Sequence, residues 1–185
     1  MSAKYSISWL ISSVENGVPI KYLFFWGHAQ KSNHEVTNSC LSQWFESPFE
    51  IEGVTYKTAE HWMMAQKAKL FDNHDIAEKI ILCQTPAEAK KLGRQVVGFD
   101  EQIWKKKRYE IVKMGNIHKF SQNPELGEYL GKTKQRVLVE ASPVDIIWGI
   151  GLAKDHRDVE NVYAWRGLNL LGFALMETRD YLKNL

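Results

Sequence analysis

Cysteine is nearly absent from this chain. Cys40 and Cys83 stand alone, with no C-x-x-C spacing and no metal-ligand pattern around them. That excludes a disulfide-stapled scaffold and leads to the expectation of a reducing compartment. The six histidines (His28, His34, His61, His74, His118 and His156) include no i, i+4 pair, so no zinc site is expected. There is no G-x-x-x-x-G-K-[ST] loop, no G-x-G-x-x-G and no G-x-S-x-G elbow, which removes the common phosphate-loop, dinucleotide and serine-nucleophile classes. The expectation is a protein without metal or cofactor. Long apolar runs are missing too. The stretch Ile7 to Ile11 is too short and too interrupted to span a bilayer. No charged leader with an apolar run and a cleavage site precedes it. A soluble, cytoplasmic, monomeric protein with no membrane partner is expected. Charge of one sign is scarce as well: a net +2 is too small to point to a nucleic-acid scaffold. The basic run Lys105-Lys106-Lys107-Arg108 reads for the most part as a solvated helix face.

What is present suits one globular domain. The 185 residues, 44% of them hydrophobic, can bury a substantial core. Seven Trp, seven Tyr and eight Phe exceed what a core of this size needs, and the surplus suits a pocket that stacks a flat ligand. The aromatic run Ile20 to Trp26 reads as a buried strand ending at Gly27, followed by a polar loop over 28–39. Alternation on both sides of Glu52-Gly53 predicts a hairpin over 49–56. Helices are expected from Thr58, over 74–82, from the capping box Thr85-Pro86-Ala87-Glu88, from Asp100, from Pro124, and over 170–182 behind Asn169. Residues 135–140 are strand-like, and Asp145-Ile146-Ile147-Trp148 reads as a further short strand. The expected fold is α+β and helix-dominated: a single compact domain over 20–185 with a small antiparallel sheet, preceded by an N-terminal extension over 1–19.

The segment Tyr56 to Lys67 carries the most chemical information. Thr58 can cap a helix, and Glu60 then lies in the first turn, where the helix dipole favours a carboxylate. Lys67 follows seven positions later, within roughly 20° of two full turns, so Glu60, Met64 and Lys67 share a face. An acid and an amine on an otherwise apolar face are costly to bury unless paired or used. By spacing alone, a solvated acid–amine face or a Glu60–Lys57 pair is the favoured account of the pattern, and His61 beside Trp62 reads as structural.

Several motifs, taken in order, resemble the YbiA-like, or NADAR, family over roughly residues 22–182. They are Phe25-Trp26-Gly27, Leu41-Ser42-Gln43-Trp44-Phe45, Tyr56 to His61, Ala65-Gln66-Lys67-Ala68, Leu92-Gly93-Arg94, Trp104 to Arg108, Asp145 to Leu152, and Trp165 to Arg179. The resemblance implies cleavage of an N-glycosidic bond. Two substrate classes go with it: ADP-ribose attached to guanine in nucleic acid, and ribosylamino-pyrimidine phosphates of riboflavin biosynthesis. It carries importance onto Glu60, Trp104 and Asp145, with Lys67 as a further candidate, and brings Phe25, Trp44, Trp148 and Gly149 into the substrate-binding set. Where the family has Ser-Asn-Phe, this chain has Ser42-Gln43-Trp44, a larger amide and ring beside the expected pocket. The Trp165-x-Gly167-x-Asn169 form, with Ile150 in place of an acid, resembles the broader branch of the family and favours removal of ADP-ribose.

That chemistry assigns roles. Bond cleavage develops positive charge on the ribose, which a carboxylate stabilises, while the leaving nitrogen needs a proton and water must reach C1′. Glu60 and Asp145 are the expected acid pair, Asp145 at a strand edge facing a cleft; a turn role after Pro143 is the alternative for it. Lys67, if its pKa is lowered, can trap C1′ as a Schiff base; otherwise it binds phosphate or pairs with an acid. Trp104 can stack a base, worth roughly 1–3 kcal/mol. Arg108, one turn along, and Arg94 can grip phosphate. Asn169 either caps its helix or presents first-turn N–H groups to a phosphate. A non-catalytic module that binds ADP-ribose or NAD is the rival expectation.

Overall fold

Helices form most of the computed structural model, which describes residues 3–29 and 35–185. Residues 30–34, part of the expected 28–39 loop and including His34, lie outside the described residues. The chain divides into two units. One comprises Gln43–Pro124; the other joins the described residues up to Ser42 to Glu125–Leu185.

The Gln43–Pro124 unit opens with the predicted hairpin. Strands β1 (Tyr22–Phe25) and β4 (Val137–Glu140) belong to the other unit; here β2 (Phe49–Ile51) pairs antiparallel with β3 (Val54–Tyr56). Its two-residue turn places Glu52 at φ 53° and Gly53 at φ 77°, the positive-φ pair that matches strand twist in a tight hairpin. Helix α2 (Ala59–Leu70) follows, then α3 (His74–Leu82), α4 (Pro86–Gly93) and α5 (Glu101–Gln122). Three of the four starts carry a side-chain cap, the exception being α3 behind Asn73. Thr58 accepts the His61 N–H, Thr85 and Glu88 form a complete capping box, and Asp100 Oδ1 accepts the N–H groups of Gln102 and Ile103 at 2.7 and 3.1 Å. Helix α2 is central. It packs on α3, α4 and α5, and eight of its twelve residues are buried, so its polar residues cannot all face water. Trp62 Nε1 donates to the Ile111 carbonyl at 2.7 Å, pinning α2 to α5. Gly115 lies under that indole: a Cβ there would stand 2.3 Å from Trp62 Cδ1. The absent side chain is what lets the helices approach.

The other unit holds α1 (Ile7–Glu15), β1 (Tyr22–Phe25), α6 (Pro124–Lys132, from Glu125 onward), β4 (Val137–Glu140) and α7 (Leu170–Lys183). Strands β1 and β4 pair in parallel, Tyr22 against Val137 and Phe25 against Glu140. The expected antiparallel sheet is thus the β2–β3 hairpin, and a second, parallel pair exists beside it. In sequence, the whole Gln43–Pro124 unit lies between these two strands. Helix α7 packs on β4. Residues 3–19 carry α1, whose Trp9 meets Phe173 of α7 edge-on at 6.5 Å. The strand expected at 145–148 does not form. Asp145 Oδ1 accepts the N–H groups of Ile147 and Trp148, both at 2.8 Å, and bends the segment into a turn. No described helix is long and apolar enough to cross a membrane.

Candidate active site

In the Gln43–Pro124 unit, the cap of α2 organises the site. Thr58 Oγ1 accepts the backbone N–H of His61, and the same oxygen is hydrogen-bonded to His61 Nδ1, 2.8 Å away. Burial lowers the His61 pKa, opposed by the Cys83 carbonyl. Burial thus favours the neutral ring. Glu60, one residue earlier, is 3% exposed. Its backbone N–H donates to the Gln43 carbonyl at 3.0 Å. The Gln43 side chain in turn accepts from Asn116 Nδ2 at 2.9 Å, and the same nitrogen donates to Val112 O.

Asn116 belongs to the buried stripe of α5, which also holds Trp104, Arg108, Val112, Gly115, Lys119 and Phe120. Trp104 and Arg108 are 9% and 7% exposed, while Lys105, Lys106 and Lys107 face solvent. The basic run thus splits as helical spacing dictates: three lysines out, the arginine in. Lys119 is fully buried, its Nζ 5.0 Å from the Phe120 ring centroid and 5.7 Å from that of Phe45.

Lys67 lies at the other end of α2 and is half-buried. Its Nζ donates to the Gly93 carbonyl at 2.8 Å and stands 4.3 Å over the Phe99 ring. Burial lowers its pKa, the nearby Arg94 charge lowers it further, and Glu60 works in the opposite sense. The Phe99 ring is an apolar partner of this amine. Arg94 is exposed at the C-terminal cap of α4. Trp44 is half-buried, with Lys90 Nζ 5.7 Å from its ring centroid.

The remaining predicted residues belong to the other unit. Asp145, Trp148, Gly149 and Asn169 meet in one hydrogen-bonded loop. The N–H groups of Asn169, Leu170 and Leu171 donate to the carbonyls of Gly149, Ile147 and Trp148 at 3.1, 3.3 and 3.2 Å. The first turn of α7 therefore spends these N–H groups on its own loop and does not hold them out to a phosphate. Asn169 occupies the N-cap position, but its side chain makes no cap bond. It is fully buried, and its amide binds one edge of β4: Oδ1 accepts the Glu140 N–H at 3.0 Å and Nδ2 donates to the Leu138 carbonyl at 2.9 Å. Gly149 admits no side chain, since a Cβ would stand 2.8 Å from Glu140 O and 3.0 Å from Asp145 O. Phe25, 1% exposed in β1, is core in this unit rather than a ring offered to substrate.

Gln43, Asn116 and Lys119 were not among the expected site residues. One signal was available: Lys119 follows Arg108 by eleven positions, about 20° from three full turns, which puts both cations on the face that carries Trp104.

With this geometry in place, the family is clear. The chain belongs to the NADAR domain family, whose model matches residues 24–183. It is 42% identical over 165 residues to N-glycosidase R617 of Acanthamoeba polyphaga mimivirus, covering 86% of this chain and 95% of that one. It is 37% identical over 133 residues to the maize chloroplastic riboflavin biosynthesis protein PYRR, covering 68% of this chain and only 20% of that protein. Among solved structures, the NMR structure of Escherichia coli YbiA superposes with a TM-score of 0.71 at 26% identity, over 88% of this chain and 85% of that chain.

Proposed function

We infer that this protein is an N-glycosidase that separates ribose from a nitrogenous base, and that its substrate is ADP-ribose joined to guanine in nucleic acid. The observation that carries the reading is the buried carboxylate of Glu60 on α2, in a helix pair whose other member, α5, buries Trp104 and Arg108 on one face. As the C1′–N bond breaks, its electrons leave with the base nitrogen, which takes up a proton, while a water oxygen bonds to C1′. Glu60 stabilises the positive sugar and accepts the water's proton. In a site that excludes water this electrostatic help is worth more than in solvent. Trp104 stacks the base and Arg108 holds phosphate. Lys67, its pKa already depressed, supplies a second route: its neutral amine attacks C1′ and water later releases the sugar. Asp145 Oδ1 is committed to its own turn. Its role as second acid rests on Oδ2 and is tested separately with Asp145→Asn.

The exposed Lys105, Lys106 and Lys107, beside Arg108 on α5, favour a polyanionic substrate over a free metabolite. The maize relative's name favours the other reading, hydrolysis of ribosylamino-pyrimidine phosphates. Both substrates are offered to wild type and to Glu60→Gln, with released sugar measured by mass spectrometry. The expectation is release from the ADP-ribosylated guanine strand, falling about 10²- to 10⁴-fold in Glu60→Gln with a native melting curve and ADP-ribose binding retained. Sugar released only from the pyrimidine substrate selects the second reading. Binding of ADP-ribose without release from either selects the non-catalytic module.

A further inference from the structure

The unit that contains α1, α6 and α7 has a groove of about 1220 Å³ that none of the candidate site residues lines. Its floor is apolar, with Leu130, Val137 and Met176. Its rim is basic, and the fold explains why the cations cluster. Val137 N donates to Lys21 O where β1 and β4 begin to pair, which brings Lys21 beside Arg136. Lys134, at φ 55°, turns the chain between α6 and β4. Arg179 on α7 is 8% exposed, and its Nη1 binds that turn, to Thr133 Oγ1 at 2.8 Å and the Arg136 carbonyl at 2.9 Å. Lys183 follows one helical turn later.

Among the described residues, none of these five cations is in a salt bridge. The groove's carboxylate, Asp180, is already bonded by Lys4 and Tyr5. A protein of net charge +2 thus gathers five unpaired positive charges along one depression. Two half-buried rings line the same groove, Tyr5 and Trp9, held edge-to-face at 4.7 Å. Tyr5, Trp9 and Lys21 precede the family-matched segment 24–183, so this chain builds part of the groove from residues outside it.

We propose that this groove binds a single-stranded nucleic acid, with Lys21, Lys134, Arg136 and Lys183 on successive phosphates and Trp9 against a base. Cations that track a backbone, combined with rings that accept any base, are the physical requirements of sequence-tolerant strand binding. A concave floor lined with rings suits a strand better than a flat anionic bilayer. The proposal does not rest on which base the enzyme releases, because an unmodified strand is sufficient to test it.

The test is fluorescence anisotropy with a short labelled oligodeoxythymidine, titrated over a range of salt concentrations. Full-length wild type is compared with Lys134→Glu/Arg136→Glu, both exposed positions, and with Trp9→Leu. Melting curves establish that each variant is folded. Wild type should bind. The double reversal should weaken binding by about ten-fold or more and make the slope of log K against log salt shallower by about 1.4, two phosphate contacts at about 0.7 each. Trp9→Leu should weaken binding while leaving the slope unchanged. Glu60→Gln should bind like wild type. No binding by folded wild type at low salt overturns the proposal, as does a double variant whose affinity and slope match wild type. Charge-dependent binding to phosphatidylserine vesicles or to a polyglutamate peptide, with none to the oligonucleotide, also overturns it.

Discussion

Replacing Asn169 by Ala should be among the most damaging single changes in the α7 unit, and the structure sets its size. The side chain is fully buried and satisfies two backbone groups of β4, the Glu140 N–H at 3.0 Å and the Leu138 carbonyl at 2.9 Å. Alanine leaves both without a partner, at about 1–3 kcal/mol each. The residue also holds φ at 51°, a left-handed conformation that Asn tolerates and that costs alanine about 1–2 kcal/mol. The loss is roughly 3–8 kcal/mol, a large share of the about 5–15 kcal/mol by which domains are stable. Asn169→Gly separates the two causes: it loses the same bonds but not the conformational freedom, and should be about 1 kcal/mol more stable than Asn169→Ala. Urea unfolding followed by far-ultraviolet circular dichroism measures both. If Asn169→Ala costs under about 1 kcal/mol, or if the glycine variant is the weaker of the two, the bridging role assigned to this side chain is wrong.

Lys67 provides a pH test. A Schiff base requires the neutral amine, and the depressed pKa makes that form available at lower pH than for free lysine. Borohydride trapping of a ribosyl adduct should rise with pH, level off below the free-lysine range, and vanish in Lys67→Met. Turnover that survives in Lys67→Met without any adduct would select direct attack by water. Asp180 gives a second pH test. Burial works to raise its pKa, but bonds from Lys4 and Tyr5 outweigh that and hold it below the ordinary range. A carboxyl depressed in the folded state contributes stability that is full above its unfolded pKa and lost as pH falls through the folded one. The anchoring of residues 4 and 5 to α7 should therefore weaken below about pH 4. Hydrogen exchange of α1, as the ratio of wild type to Asp180→Asn, should show protection falling toward the variant's level in acid; a ratio that stays constant with pH would refute this.

Local signals were legible because local chemistry causes them. Thr58, Thr85 with Glu88, and Asp100 cap helices through bonds that span three residues or fewer, and the Glu52-Gly53 turn needs nothing beyond its neighbours. The parallel pairing of Tyr22–Phe25 with Val137–Glu140 was not legible, since more than a hundred residues separate the strands and neither carries a register mark. The apolar run Ile146-Ile147-Trp148 imitates a strand; what bends it is the Asp145 carboxylate reaching two N–H groups ahead, an option that composition alone does not rank. Asn169 sat where a capping residue belongs, yet tertiary partners claimed its side chain. Lys119 was missed because a lysine on a long charged helix ordinarily faces water.

The two units differ in how they treat buried polar groups, and the difference bears on where chemistry can occur. In the α7 unit the buried polar side chains find protein partners: Thr133 and Thr178 donate to carbonyls one turn back, Ser142 accepts the Asp145 N–H, Ser39 bonds Thr37, Asn169 spans β4 and Arg179 holds the 133–136 turn. Such groups fix a fold. In the Gln43–Pro124 unit, α2 and α5 bury Glu60, Arg108, Asn116 and Lys119 together with Gln43. Within that set, Gln43 Nε2 and Asn116 Oδ1 make no hydrogen bond to any described residue. A buried amide donor and acceptor left over cost about 1–3 kcal/mol each, and an apolar pair at these positions would avoid the cost. A fold that keeps charged and unsatisfied groups in its interior retains them for a partner the protein does not itself supply. If the chemistry proposed for Glu60 occurs at this end of α2, Gln43→Leu/Asn116→Leu should raise the melting temperature while lowering turnover.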